Sequence, residues 1–420
     1  MHFLRKTKEL TRVVFCWLFF SLVGLAPAKG QIFTDQLFYH TDKIEIPFEL
    51  VNGFIVLDVA YGPRRLPLKF IFDTGAEYSI LTYKEFARMS GARIGREVII
   101  LGADLSTKIR ANVIHGNQLD IANRLNITNV DMILLGEDFL NIGQYVGFPV
   151  HGIIGANIFS RFLVEINYKK SLIVFHDPRK NKVSYKGYHE MNVDFISRKP
   201  YIQMLVEMPN GVPFTGKYLV DCGADLSLLM MLGSHEQLEI PKNTLVAHIA
   251  AGLGGSLKGY MGRVNRIELA SLELSSPVIH YQEMADSTRL DASAKNGIVG
   301  NRILSMYNVL IDYPNRKLFL KPYRKKIRRM KVDKSGMSVI ASGPFLNQLS
   351  IAHILEGTPA AKAGLQAGDI ILKINGFPAL FWDVSSVTNK LMKKEGRKIK
   401  VVILREGKRL KFSFRLKKYI

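Results

Sequence analysis

The sequence predicts a mainly β protein with two similar lobes followed by a small α/β unit. From Phe48 to about Leu320, short β-branched and apolar runs alternate with turns rich in Gly, Asn, Pro and Asp, which is typical of β-strands. Two motifs recur in this part in the same order, and such internal repetition indicates two related lobes. Beyond Lys321 the apolar runs alternate with two short helical patterns, so we expect a separate α/β unit. A chain of 420 residues has room for two or three domains.

The first repeated motif is a hydrophobic strand that ends in Asp and Gly. It reads FIFDTGAEYSIL from Phe70 to Leu81 and YLVDCGADLSLL from Tyr218 to Leu229. A carboxylate directly after an apolar strand costs free energy unless it is solvated, hydrogen-bonded or shares a proton. A single copy would be interpreted as an ordinary Asp-Thr-Gly turn. Two copies, with Asp73 and Asp221 148 residues apart, indicate a pair of carboxylates with a common role.

A second motif follows each copy of the first. GIIGANIFSRF begins at Gly152, and GIVGNRILSMY begins at Gly297, 145 residues later. The polar stretch from His176 to Asn192 lies between the two halves, as a connector between lobes would. The repeat therefore predicts a first lobe over residues 31–177 and a second lobe over residues 190–320.

Together these motifs resemble those of retropepsin-like and pepsin-like aspartic proteases with both lobes in one chain. The resemblance covers about residues 40–320 and rests on Asp-Thr-Gly-Ala at 73–76, Asp-Cys-Gly-Ala at 221–224 and the two later Gly-containing segments. It implies a bilobal, acid-protease-like pair of β-barrels with Asp73 and Asp221 as the catalytic dyad. It also implies that four neighbours support the catalytic loops: Thr74, Gly75, Cys222 and Gly223.

In such a dyad one carboxyl group is protonated and the other is ionised, so the pair acts as a base on water and as an acid on the leaving nitrogen. The resemblance therefore implies an aspartic-type endopeptidase that hydrolyses peptide bonds in extended or unfolded polypeptide, with no cofactor and no metal. The alternative is a non-catalytic peptide- or protein-binding envelope protein with a degenerate protease fold.

Two features of the repeats depart from the family pattern. Cys222 replaces the usual Thr or Ser, and because a thiol is a weaker hydrogen-bond donor, we expect a lopsided contact between the two loops. The second feature is Arg302, which follows Asn301 in the later segment of the second lobe. The sequence leaves open whether Arg302 pairs with Glu77 or with Asp225.

A flap over a bound peptide would be a Gly-rich hairpin that closes and excludes water. The segment from Ala250 to Val264 fits such a hairpin in the second lobe, with Gly254, Gly255 and Tyr260 as candidate flap residues. The segment from Ile100 to Ala111 is its counterpart in the first lobe. An ordinary β-hairpin is the alternative for both segments.

The C-terminal unit contains ILEGTPAAKAGLQAGDIILKINGFPA from Ile354 to Ala379, which resembles a bacterial PDZ domain. We expect a basic linker over residues 321–334 and the domain over residues 335–418. The resemblance implies that Gly336, Met337 and Ser338 form the peptide-binding loop, whose N–H groups hold a C-terminal carboxylate while the peptide extends a sheet edge. The partners would be peptide or protein C-termini. The alternative is a PDZ fold that only docks against the lobes of its own chain.

The N-terminus has the layout of a secretory signal peptide over residues 1–28. Four basic residues precede an apolar run from Val13 to Leu25, and small residues follow at Ala26 and Ala28. The run is short for a membrane span, and an uncleaved signal anchor is the alternative. After cleavage Cys222 would be the remaining cysteine, so no intrachain disulfide is expected. An exported protein without disulfides indicates a bacterial periplasm or envelope, or secretion.

The positive charge of the chain is concentrated at its C-terminal end. The net charge is +22, and the part from Lys321 onward contains 23 Lys and Arg but only 6 Asp and Glu. Such a surface can contact anionic lipid or an acidic partner through an attraction that salt weakens. Aromatic residues are not interleaved with the cations as in nucleic-acid platforms, so we expect no nucleic acid. The sequence contains no HExxH, paired Cys-x-x-Cys or G-x-S-x-G motif, so metal and serine-nucleophile chemistries lack support from motifs.

Overall fold

The structure is a computed structural model that describes residues 41–102, 107–139, 141–180, 183–252, 255–284, 295–324, 326–327 and 330–420. These residues form a mainly β protein with a small α/β unit at the C-terminal end, which confirms the predicted fold class. The signal peptide predicted over residues 1–28 lies outside the described residues. Within the described ranges, no helix is long and apolar enough to cross a membrane.

The first half of the chain forms an eight-stranded sheet in the order β2-β3-β4-β9-β5-β8-β7-β6. Its central strand ends in Phe70, Ile71 and Phe72, which are all buried because both faces of the strand are covered. The elements of this half are β1 (Lys43–Pro47), β2 (Glu49–Val51), β3 (Phe54–Tyr61), β4 (Leu66–Phe72), β5 (Ile80–Tyr83), α1 (Lys84–Ser90), β6 (Arg93–Leu101), β7 (Lys108–Ile121), β8 (Leu125–Gly136), α2 (Ile142–Val146), β9 (Gly152–Ile154), α3 (Ala156–Phe159), β10 (Leu163–Asn167) and β11 (Leu172–His176).

The second half forms an eleven-stranded sheet in the order β17-β18-β21-β16-β22-β15-β14-β19-β20-β25, with β13 beside β14. Its centre is again apolar, since all five residues of β16 are buried. The elements are β12 (His189–Met191), β13 (Val193–Ile196), β14 (Lys199–Glu207), β15 (Pro213–Val220), β16 (Leu228–Leu232), β17 (Leu245–Gly252), β18 (Gly255–Arg263), β19 (Arg266–Leu269), β20 (Leu272–Ser275), β21 (Val278–Glu283), β22 (Gly297–Val299), α4 (Asn301–Leu304), β23 (Tyr307–Asp312), β24 (Lys317–Pro322) and β25 (Lys326–Ile327).

The repeated motifs adopt the same strand pairing in both halves. In the first half β9 pairs parallel with β4 and antiparallel with β5. In the second half β22 pairs parallel with β15 and antiparallel with β16. The short strand that begins each later motif is therefore inserted between the two strands that flank each Asp-containing loop.

A third sheet joins the two halves. Its six strands have the order β1-β11-β10-β23-β24-β12, and the central pair, β10 with β23, brings together one strand from each half in antiparallel register. Val164 pairs with Ile311 there, and both side chains are buried. The apolar side chains of both halves meet in one continuous core, so the halves are packed together and not merely linked.

The C-terminal unit has a sheet and a core of its own. The sheet has the order β26-β27-β28-β30-β31, with β29 beside β28, so β26 is an edge strand. The core contains Val339, Ile351, Ile371, Val387 and Val401. The elements are β26 (Met337–Ser342), β27 (Gln348–Ile354), α5 (Pro359–Lys362), β28 (Ile370–Ile374), β29 (Phe377–Pro378), a 3₁₀ turn (Ala379–Phe381), α6 (Val384–Leu391), β30 (Lys398–Arg405) and β31 (Lys408–Arg415).

Candidate active site

Asp73 and Asp221 occupy equivalent positions at the ends of β4 and β15. The backbone N–H of Asp73 donates to the carbonyl of Ile154 at 3.1 Å, and the N–H of Asp221 donates to the carbonyl of Val299 at 3.0 Å. Since Ile154 and Val299 end the inserted strands β9 and β22, the same local pairing fixes both loops. The two copies of the sequence motif thus have the same backbone hydrogen bonding.

Each carboxylate accepts hydrogen bonds from the backbone of its own loop. Asp73 Oδ1 accepts from the N–H groups of Gly75 at 2.6 Å and Ala76 at 3.2 Å. Asp221 Oδ1 accepts from the N–H of Gly223 at 2.8 Å. These bonds leave the Oδ2 atoms of both residues free of the loop backbone and fix the orientation of both carboxyl groups.

The two carboxyl groups lie against each other across the junction of the loops. A Cβ atom added to Gly75 would lie 2.7 Å from Asp221 Cγ, and one added to Gly223 would overlap the carboxyl of Asp73. Glycine is therefore the residue that fits at both positions. Burial, the charge of Asp221 and the hydrogen bond that protonated Asp73 donates to Asp221 together raise the pKa of Asp73 well above its usual range. Burial also raises the pKa of Asp221, while the hydrogen bond from Asp73 opposes this rise, so the pKa of Asp73 is raised more strongly than that of Asp221.

Thr74 and Cys222 cross-link the two loops beneath the carboxyl pair. Thr74 Oγ1 donates to the carbonyl of Val220 at 2.7 Å and accepts from the Cys222 N–H at 3.1 Å. In the opposite direction the Thr74 N–H donates to Cys222 Sγ at 3.3 Å, and Sγ donates to the carbonyl of Phe72 at 3.5 Å. The bonds of the Thr74 hydroxyl are stronger than those of the Cys222 thiol, because a thiol is a weak hydrogen-bond donor. Burial raises the pKa of Cys222 well above its usual range, so it remains a neutral thiol.

Arg302 pairs with Asp225, which answers the question that the sequence left open. Its Nε and one terminal nitrogen each lie 3.0 Å from a carboxylate oxygen of Asp225, in a bidentate arrangement. Glu77, the corresponding acid of the first lobe, lies 3.9 Å from Arg198 instead. The two lobes thus differ in the ion pair next to each loop.

Lys199 and Lys295 lie near the carboxyl pair, and sequence reasoning missed both. Burial lowers the pKa of Lys199, and burial together with the charge of Lys199 lowers the pKa of Lys295 to about 8. Both positive charges act on Asp221 and favour its ionised form. No motif contains either lysine, since Lys199 lies 22 residues before Asp221 and Lys295 lies two residues before the later motif that begins at Gly297.

The two predicted flap segments form β-hairpins. β17 and β18 pair over the second-lobe segment, where Gly255 begins β18 and Gly254 lies outside the described residues. The hydroxyl of Tyr260 donates to Glu283 at 3.0 Å. β6 and β7 form the first-lobe hairpin, whose residues 103–106 lie outside the described part of the chain.

Both hairpins pack next to the loops that carry the carboxyl pair. Ile249 of β17 belongs to the same buried cluster as Leu226, which follows Asp221. Ile109 of β7 belongs to a cluster that includes Tyr78, which follows Asp73. Each hairpin therefore lies on the side of its own lobe where the acidic loop emerges.

The predicted peptide-binding loop of the C-terminal unit leads into the edge strand β26. Gly336 has φ +80°, its N–H donates to Asp333 at 2.6 Å, and the N–H of Met337 donates to Ser335 Oγ at 3.1 Å. Ser338 is paired with β27. Two of the N–H groups predicted to bind a carboxylate thus already donate to side chains of the same turn.

The C-terminal unit contacts both halves of the chain. α2 of the first half lies against β26 and α6, and a Cβ atom on Gly143 would lie 3.2 Å from Leu346 Cδ1. On the second half, the ring of His248 in β17 stacks on His353 of β27, with centroids 3.5 Å apart and planes 7° from parallel. The unit is therefore docked on its own chain in this structure.

Comparison with known proteins finds a family match for part of the C-terminal unit. Residues 351–405 match the PDZ domain family, which is a peptide-binding fold. Proteins named "Probable periplasmic serine endoprotease DegP-like" are similar over short stretches: one from Pseudomonas putida is 47% identical over 60 residues, covering 14% of this chain and 12% of the relative. Another, from Pseudomonas savastanoi pv. phaseolicola, is 42% identical over 64 residues, covering 15% of this chain and 13% of the relative. The chain thus spans about an eighth of the length of these curated relatives.

Among solved structures, Basic 7S globulin from soybean aligns with a TM-score of 0.40 and 8% sequence identity. The alignment covers 68% of this chain and 96% of the globulin.

These comparisons overturn the predicted enzyme class. The sequence analysis expected an aspartic-type endopeptidase, whereas the curated relatives are named serine endoproteases, so this prediction is wrong. The difference arises because the likeness lies in the PDZ region, whereas the expected class rested on Asp73 and Asp221, which lie in the other part of the chain.

Proposed function

We propose that the protein is an exported, periplasmic peptidase in which Asp73 and Asp221 activate water against a peptide bond, while the PDZ domain binds peptide or protein C-termini. The observation that carries this proposal is the close approach of the two carboxyl groups, since each lies against the Gly of the opposite loop. The raised pKa of Asp73 favours one proton shared by the pair. The proposed division of the chain is a signal peptide over residues 1–28, lobes over residues 31–177 and 190–320, a linker over residues 321–334 and the PDZ domain over residues 335–418.

The shared proton gives the two carboxyl groups different tasks. Ionised Asp221 accepts a proton from water as the water oxygen attacks the peptide carbonyl, and Asp73 gives its proton to the carbonyl oxygen. The resulting diol then loses the amine: Asp221 passes its proton to the leaving nitrogen, and one diol hydroxyl returns a proton to Asp73. The pair ends in its starting state. Lys199 and Lys295 support this cycle because their charges favour the ionised form of Asp221.

An extended polypeptide is the proposed substrate. Both hairpins pack beside the acidic loops, so their strands offer backbone groups to a chain that passes the carboxyl pair. A peptide in extended conformation can pair with such strands through its main chain, whereas a folded segment cannot. In the structure α2 of the first half lies against the edge strand β26, so a peptide can add to this strand only after α2 has moved away.

The names of the relatives support the proposed setting. The proteins that share the PDZ-like segment are named as periplasmic and as endoproteases. A PDZ domain of this kind therefore occurs beside a proteolytic unit in the periplasm. The signal-peptide pattern of the first 28 residues is consistent with the same compartment.

The proposal is tested with residues 29–420 and an unfolded substrate such as casein, across acidic to neutral pH. Asp73→Asn and Asp221→Asn should each abolish cleavage, because each removes one of the two tasks. Asp58→Asn is the matched control, since the side chain of Asp58 is exposed and lies 2.8 Å from Lys69 in β4. A fluorophosphonate probe is added in parallel, because it modifies an activated serine.

The outcomes separate the protease classes. Cleavage that is lost in both variants and resists the fluorophosphonate supports the carboxyl pair. Cleavage that persists in Asp73→Asn and Asp221→Asn but stops with the fluorophosphonate refutes the carboxyl pair and assigns the serine chemistry of the relatives.

A non-catalytic peptide-binding protein is the second candidate, and the weak thiol contact of Cys222 favours it. In that case wild-type protein should bind the casein fragments without cleaving them. Asp73→Ala should then keep the peptide affinity, measured by fluorescence anisotropy, within about twofold of wild type, because no water has to be activated.

A further inference from the structure

The PDZ unit carries an apolar loop that stays exposed among the residues that the structure describes. Phe377, Leu380 and Phe381 are 62%, 84% and 75% exposed, and they follow one another in the short segment formed by β29 and the 3₁₀ turn. Large apolar side chains at this exposure keep most of their contact with water after folding, so they contribute little to the core. Contiguous exposed apolar groups are typical of a surface that binds another apolar surface.

Positive side chains from three elements surround this loop. Lys373 of β28 is the strand partner of Pro378 in β29. Lys390 of α6 lies over the ring of Trp382, 4.4 Å from its centroid. The backbone N–H of Lys400 in β30 donates to Asn375 Oδ1 at 2.8 Å, in the turn before β29. The apolar loop is therefore bordered by residues that carry positive charge.

The net charge of the segment that contains the loop is strongly positive. Residues 371–420 contain 14 Lys and Arg but only 3 Asp and Glu. The acid nearest in sequence to the loop, Asp383, is engaged as the N-cap of α6, where it accepts from the Ser386 N–H at 2.6 Å. The surface thus combines apolar tips with a field that attracts anions.

We propose that this loop inserts into the interfacial region of a membrane that contains anionic lipid, and so attaches the PDZ unit to the membrane surface. Apolar tips enter the boundary between headgroups and acyl chains, while the surrounding lysines bind the negatively charged headgroups. A protein partner would need an acidic surface around an apolar pocket, whereas an anionic bilayer offers both properties at once. The proposal is independent of the chemistry at the carboxyl pair.

The test measures co-sedimentation of residues 29–420 with vesicles. Vesicles of phosphatidylcholine with phosphatidylglycerol should bind the protein at low salt, and pure phosphatidylcholine vesicles should not. The double variant Leu380→Ser/Phe381→Ser should lower the partition coefficient at least about tenfold, because the apolar tips are lost. Lys373→Glu/Lys400→Glu should lower it to a similar extent and reduce the salt dependence.

Matched changes elsewhere on the surface serve as controls. Met89→Ser/Ile240→Ser removes two exposed apolar side chains of the lobes, and this variant should bind vesicles as wild type does. Thermal unfolding followed by circular dichroism shows that each variant is folded. Absent binding to anionic vesicles, equal binding to both vesicle types, or unchanged binding by the loop variant would each overturn the proposal. A dimer in analytical ultracentrifugation that disappears in Leu380→Ser/Phe381→Ser would overturn it too and identify a second copy as the occupant.

Discussion

The hydroxyl of Thr74 is expected to stabilise the junction of the two acidic loops more than the thiol of Cys222 does. Thr74 is fully buried, and Val has nearly the same shape, so Thr74→Val removes the hydroxyl without creating a large cavity. The change leaves the Val220 carbonyl without its donor at 2.7 Å and the Cys222 N–H without its acceptor at 3.1 Å. Each buried group left unsatisfied costs about 1–3 kcal/mol, so the free energy of unfolding should fall by about 2–6 kcal/mol.

Cys222→Ala supplies the comparison from the other side of the junction. It removes a sulfur atom whose S–H donates to the Phe72 carbonyl at 3.5 Å and which accepts from the Thr74 N–H at 3.3 Å. Bonds to sulfur are weak, and the cavity left by one buried sulfur is small, so the expected loss is about 1–2 kcal/mol. Thr74→Val should therefore cost more than Cys222→Ala.

Urea unfolding measures both variants with an internal control. Far-ultraviolet circular dichroism follows the β-rich lobes, which contain most of the strands. Trp382 is the only Trp beyond the signal-peptide region, so its fluorescence follows the PDZ unit, which neither change touches. A loss under about 1 kcal/mol for Thr74→Val, or a larger loss for Cys222→Ala, would refute the ranking of the two contacts.

Three further changes test other contacts. Arg302→Met breaks the bidentate pair with Asp225 at 3.0 Å and should cost about 1–3 kcal/mol of lobe stability, seen as a lower urea midpoint. Arg405→Met leaves the carboxylate of Asp369, which is 1% exposed, without its ion-pair partner and with the Gln366 N–H as a remaining donor at 2.9 Å. The change should cost about 3–5 kcal/mol, which tryptophan fluorescence should detect, and an unchanged transition would contradict it. Burial lowers the pKa of His280 to about 4 in the folded protein. Stability that depends on neutral His280 is therefore present above the pKa of the unfolded chain, near 6.5, and is lost as the pH falls through about 4. His280→Gln should flatten this part of the stability profile in circular dichroism, and an unchanged slope would exclude His280 as its source.

The sequence predicted the parts of the fold that depend on local pattern. The strand before each Asp loop, the inserted strands at Gly152 and Gly297, and the alternation of strands and helices beyond Met337 are all found in the structure. Alternating or continuous apolar residues bounded by turn residues encode a strand within a few positions. These features need no knowledge of distant partners.

The surroundings of the carboxyl pair could not be predicted in this way. The choice of Arg302 for Asp225 and not for Glu77 depends on which side chains the lobes bring together across 77 residues of chain. Lys199 and Lys295 belong to no motif, and their position near Asp221 follows from the pairing of strands in the second sheet. The contact of His248 with His353 depends on how the PDZ unit docks on β17.

The sequence by itself determined a mainly β chain with a repeated Asp loop, a PDZ segment and a basic C-terminal end. Each of these is a property of neighbouring residues: hydrophobic period, turn composition, internal repetition and charge. The tertiary structure decided that the carboxyl groups of Asp73 and Asp221 come together, that burial raises the pKa of both, and which cations act on them. Those properties arise because segments far apart in the chain are brought together in a buried site, where low polarity strengthens every interaction between charges.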